Sequence, residues 1–175
     1  MIYLEILYNC GVLIAVSVLS GFVGWRWRQG WPAALLQGLL FGCAAVIGML
    51  RPLVVQPGLI FDGRSVMIAL AGLFFGPLAA LTAAAMAALV RLAQGGIGAA
   101  TGVLVIMASA LLGVMFRRRR LPEAPVALRQ LLLLGFAVHA AMLLLMFTLL
   151  GGRGWAVLST IGLPVITIYP LVTVL

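Results

Sequence analysis

The chain has no lysine, three acidic residues, one histidine and two cysteines in 175 residues. Each scarcity closes a class of function. With only Glu5, Asp62 and Glu123 as acids, and Glu5 and Glu123 expected at opposite membrane faces, no membrane-embedded pair of carboxylates is available for acid–base catalysis. His139 stands in its apolar run without a second histidine, a cysteine or a carboxylate, so an interhelical hydrogen bond is expected there rather than a metal or a proton relay. Cys10 and Cys43 both fall inside apolar runs, which argues against a disulfide framework or a two-cysteine metal site. Neither Gly-x-Ser-x-Gly nor His-Glu-x-x-His occurs, and no nucleophile is paired with a base. The chain is therefore expected not to be an enzyme, and no cofactor or metal is implied. Met1 to Tyr8 lacks a positive stretch before the first apolar run, so that run is expected to remain as a span rather than leave as a signal peptide.

What the chain has is apolar length. It is 65% hydrophobic, in runs of about 20 residues that recur from end to end, more than a water-soluble core of this size could use. The fold class expected is an all-α, polytopic membrane bundle. Eleven arginines give a formal charge of +8. Nucleic acid is rejected as the partner, because the arginines lie between apolar runs, where they set topology and meet lipid phosphates.

A first span is expected over Ile6 to Gly24, ending at Trp25-Arg26-Trp27-Arg28, a mixture that settles at an interface and marks a cytoplasmic loop. A second follows from about Ala33 to Leu50, opened by Trp31-Pro32, with Gly38 and Gly42 spaced for close helix contact. Arg51 to Ser65, with Pro52, Pro57, Gly58 and Gly63, reads as an external loop.

From Val66 to Val90 two topologies compete. A single crossing would strand Arg117 to Arg120 outside, against the positive-inside rule. A re-entrant hairpin of two half-helices, each about 11 to 14 residues and broken at Gly76-Pro77, places Arg64 and Arg91 together outside and returns the four arginines to the cytoplasm. The hairpin is favoured; the rival is six full spans with the amino terminus inside. Further spans are expected over Ile97 to Phe116, Leu131 to Leu150 and Ala156 to the end, separated by Leu121-Pro122-Glu123-Ala124-Pro125 and the external turn Gly151 to Trp155. This gives five crossings plus the hairpin in one domain, residues 1–175, amino terminus outside and carboxyl terminus cytoplasmic. The chain stops at Leu175 inside an apolar run, from which a following cytoplasmic output domain is expected; the alternative is a protein that ends at the membrane and serves another subunit.

The chemistry-bearing residues cluster around that hairpin. Arg64 and Arg91 stay charged and offer forked donors that match a carboxylate or phosphate, against the plain role of interface anchors. Gly95-Gly96-Ile97-Gly98 precedes a helix whose first amides are open to an anion. Thr101 could add a hydroxyl, Gly102 leaves room, and Asp62 is either a partner of Arg64 or solvated. The alanines at 79, 83 and 87, like Gly72 and Gly76, are read as packing residues, and Asn9 and Gln37 as structural.

Asn9 and Gly11, Asp62-Gly63-Arg64, Ala71-Gly72 with Gly76-Pro77, Arg91 followed by Gly95-Gly96, and Leu112-Gly113 together resemble the Lyt-type five-transmembrane receptor domain, the membrane sensor found ahead of bacterial histidine kinases and GGDEF diguanylate cyclases. The resemblance covers nearly the whole chain and is densest from Arg51 to Arg120. It implies a homodimeric receptor in the bacterial inner membrane, feeding two-component or cyclic-di-GMP signalling. The implied ligand is a small extracellular anion of the carboxylate class, such as pyruvate, held by Arg64 and Arg91, with Thr101 to Val105 in the pocket wall. The chain departs from the family at Asp62, where members often show Asn, and at Gly102 and Val105, where members can carry polar residues. The general shape is also similar to the substrate-binding subunits of energy-coupling-factor vitamin transporters, the alternative reading.

Overall fold

The computed structural model describes residues 2–27, 30–50, 53–56, 59–61, 63–119 and 126–149, and beyond these 155, 159, 162, 165–167, 170, 173 and 174, with side chains from residue 11 onward except Leu13 and residues 53–61. Six helices follow in order: α1 Ile2–Arg26, α2 Trp31–Leu50, α3 Arg64–Phe75, α4 Pro77–Gln94, α5 Ala99–Arg118 and α6 Leu128–Leu149. Four of them, α2, α4, α5 and α6, are long and apolar enough to cross a bilayer. The protein is a polytopic helical bundle. Most of the span expected from Ala156 onward lies outside the described residues; its described positions 159, 162, 165–167 and 170 are helical, as is Trp155, expected in the turn before it.

The segment expected as a loop from Arg51 to Ser65 is more ordered than its prolines imply. Leu53–Gln56 and Leu59–Phe61 form strands β1 and β2, an antiparallel pair with Leu53 opposite Phe61 and an irregularity between Val54 and Gln56. The β-branched and aromatic residues on either side of Pro57-Gly58 account for it. The helix that follows already begins at Arg64.

The break at Gly76-Pro77 reverses the chain. Gly76 has φ 88° and donates its N–H to Gly72 O, while Pro77 opens α4 at a position where a missing N–H costs little. Contacts along the helices fix their directions. Gly72 of α3 packs against Ala110, Gly113 and Val114 of α5, and Arg117 reaches the carbonyls of Leu73 and Phe74, so α3 and α5 run the same way. Gly38 meets Ala79 and Thr82, Gly42 meets Ala83 and Met86, and Gln94 Nε2 donates to Met49 O at 3.0 Å, so α4 runs with α2 and against α3. The two halves are unequal, 12 and 18 residues, rather than the matched pair expected.

Within the core, the contact between α2 and α4 is one of small residues, backbone close to backbone. Ala79, Ala83 and Ala87 are fully buried on one stripe of α4, and a Cβ placed on Gly38 would come within 2.7 to 2.9 Å of Thr82 and Ala79. Between lipid-embedded helices there is little hydrophobic gain from association, so close approach and dispersion contacts must hold them together. The larger side chains Ile14, Val18, Phe22, Leu81, Leu89 and Leu111 are turned outward, as a lipid-facing surface requires.

Candidate functional site

The two arginines singled out from the sequence meet. Arg64 is the first residue of α3 and is 5% exposed; Arg91 lies in the last turn of α4 and is 2% exposed. Both reach over Gly102 in the first turn of α5, where an added Cβ would fall 2.6 Å from Arg91 Nε and 3.1 Å from Arg64 Nη2. Glycine at 102 is what leaves space for two guanidinium groups at one point. The reversal at Gly76 makes this possible, since it returns the chain to the level at which it entered.

Local geometry holds Arg91 in place. Gly95, at φ 63°, ends α4 by donating its N–H to Leu92 O, and its carbonyl accepts from Arg91 Nη1 at 2.9 Å. Gly96, at φ 86°, accepts from the Ala99 N–H and turns the chain into α5. The amide of Gly95 is thus committed to closing α4. Thr101 is buried beside Gly102 in the first turn of α5, and Val105 is buried one turn on. Asp62 lies outside the described residues, as do the side chain of Glu5 and the whole of Glu123.

The helix ends at this place are mixed. Arg64 stands at the start of α3 and Gly102 near the start of α5, so the positive ends of two helix dipoles point toward two arginines. Only Arg91, near the end of α4, lies where a helix favours a cation. The short α3 is about 18 Å long at 1.5 Å per residue. Buried charge in an apolar bundle is expensive unless it is compensated. The Nε atoms of both arginines are buried without an acceptor, although each side chain has other interactions.

The remaining sequence candidates have structural surroundings. Gln37 Nε2 donates to Ser20 O at 2.9 Å, tying α2 to α1. His139 is buried with Nδ1 2.7 Å from Gly135 O in its own helix. No group of three metal-ligating side chains occurs among the described residues. Cys43 is a free thiol on the exposed side of α2. Asn9 and Cys10 lie on α1, with side chains outside the description. Two participants had not stood out in the sequence. Gln94 joins the ends of α4 and α2. Arg117 was one of four consecutive arginines, yet it covers the end of α3; no local signal separates it from its neighbours.

No curated protein and no solved structure matches the chain. A family model does: that of the five-transmembrane receptor region, 5TMR of 5TMR-LYT, over residues 26–175. A match of that extent, on a helical membrane bundle carrying a buried arginine pair, shows that the chain belongs to the 5TMR-LYT family of transmembrane sensor domains.

Proposed function

We propose that the chain is a receptor that binds a small extracellular anion, a carboxylate, between Arg64 and Arg91 and passes the occupancy of that site to a cytoplasmic histidine kinase or diguanylate cyclase domain. The observation that carries this reading is the convergence of both guanidinium groups over Gly102. Two forks of donors, backed by two helix starts, match the charge and the planar geometry of a carboxylate. In this reading Thr101 adds a hydroxyl, Gly96 and Asp62 border the pocket, and Gly102 keeps it open. The end that carries Arg26, Arg117, Arg118, Arg119 and Arg129 faces the cytoplasm, following the positive-inside rule. Family membership supports sensing over the vitamin-transport reading. Signalling requires that the ligand favour one of two helix arrangements, and a dimer would bring two output domains together.

The test is ligand-dependent thermal stability of the purified chain against small carboxylates, phosphates and vitamins. At 100 times its dissociation constant a ligand adds about 2.7 kcal/mol to the folded state. A carboxylate is expected to stabilise the parent, with affinity falling about 100-fold or more in Arg64→Ala and Arg91→Ala, since each removes a buried charged partner. Unchanged affinity in both variants would overturn the site, and stabilisation by a vitamin alone would favour the transport reading.

A further inference from the structure

The opposite end of the bundle carries a second polar cleft. It measures about 460 Å³ and lies between the end of α1, the start of α2 and the α3–α4 reversal, with Trp27, Ala33, Gln37, Phe74, Phe75 and Arg117 in its wall. Three features make it more than a gap between helices. Arg117 brings a guanidinium whose Nη1 is engaged by the carbonyls of Leu73 and Phe74, which fixes the group at the mouth. The first helical bond of α2 runs from Ala34 N to Gly30 O, so the amides of Trp31 and Ala33 precede it and present the positive end of α2 beside the cleft. Gln37, 2% exposed, commits Nε2 to Ser20 O and leaves Oε1 buried with no hydrogen-bond partner.

A cation and a helix start call for an anion, whereas the unsatisfied Oε1 of a residue in the cleft wall calls for a donor. A ligand that satisfies both carries a negative group and its own N–H or O–H. The surroundings place the cleft at head-group level: Trp25 and Trp27 are exposed, Arg26 lies over the Trp27 ring at 5.2 Å, and Arg118 and Arg119 are exposed on the same end. We propose that this cleft binds a phosphate ester bearing a hydroxyl or ammonium donor, with the phosphate on Arg117 and the start of α2 and the donor on Gln37 Oε1. Phosphatidylglycerol and phosphatidylethanolamine have this chemistry, as does a free glycerol phosphate; phosphatidylcholine has the phosphate without the donor. The site is separate from the Arg64–Arg91 pair and does not depend on the receptor reading.

Native mass spectrometry of the full chain in detergent, titrated with each of the three lipids and with glycerol 3-phosphate, tests it. Phosphatidylethanolamine and phosphatidylcholine have the same net charge, so their ratio isolates the donor. Phosphatidylethanolamine and phosphatidylglycerol are expected to bind about 10-fold tighter than phosphatidylcholine, one hydrogen bond of about 1.4 kcal/mol. Gln37→Met, which keeps the volume, is expected to erase that preference, and Arg117→Gln to weaken all three lipids about 10-fold. Glycerol 3-phosphate binding with the same two dependences assigns the site to a free phosphate ester, and no binding of it assigns the site to lipid. Equal affinity for the three lipids in the parent overturns the proposal. So does a loss in Arg118→Gln equal to that in Arg117→Gln, which would make the effect one of surface charge.

Discussion

Both ends of the α3–α4 hairpin set arginine against glycine, and they use the same residue type in opposite ways. At one end Arg117 packs against Gly76 and gives its hydrogen bonds to the last carbonyls of α3, the end of a helix where a cation belongs. That arginine is exposed and helix backbone serves as its counter-charge. At the other end Arg64 and Arg91 are buried over Gly102, and the beginnings of α3 and α5 add positive potential to two cations. The end of α4 and the Gly95 carbonyl serve Arg91 as helix backbone serves Arg117, whereas Arg64 stands at a helix start. What separates the two ends is burial and pairing: a single exposed arginine at one, two buried arginines meeting at Gly102 at the other.

The comparison can be broken at its glycines. The largest effect is expected from Gly113→Val, because Cβ at 113 would run into the backbone carbonyl of Ala69, which cannot move aside; a loss of about 3 kcal/mol should appear in thermal unfolding. Gly102→Leu should separate folding from binding, since the atoms it meets are flexible guanidinium groups. On the receptor reading this variant melts close to the parent without ligand and shows no carboxylate-dependent shift. A melting point as low as that of Gly113→Val would mean that Gly102 serves packing alone. The smallest effect should come from Arg117→Gln, where losing its bonds to α3 costs about 1–2 kcal/mol and leaves carboxylate affinity within about threefold, measured by the same titration. A larger affinity loss would show that the two ends are energetically joined.

Much of this was legible in the sequence because topology leaves marks in charge and in proline. Arg117 to Arg120 could be kept on the same side as Arg26 and Arg28 only if the chain reversed at Gly76-Pro77, and that reversal alone predicts that Arg64 and Arg91 meet. The small-residue stripes at Gly38 and Gly42 and at Ala79, Ala83 and Ala87 were equally readable, since spacing by four places them on one helix face. Other features were not. Leu53 to Phe61 reads as loop where Pro57 and Gly58 are weighed above the β-branched residues beside them, although a Pro-Gly pair between two short apolar runs is itself a hairpin signal. Gly102 reads from the sequence as leaving room, but the groups it makes room for are two side chains from other helices and leave no local mark. The contact of Arg117 with Phe74 spans 43 residues and has no local signature at all.

The stripe that joins α2 to α4 has a mechanical consequence. Helices that touch through Gly38, Gly42, Ala79 and Ala83 sit too close to be pried apart without losing every contact at once, so the pair is stiff against separation. Along the common axis Thr82 against Gly38 and Met86 against Gly42 are the steps that sliding would have to clear. Movement of one helix relative to the other is therefore expected as stepwise axial shear rather than as opening of the pair.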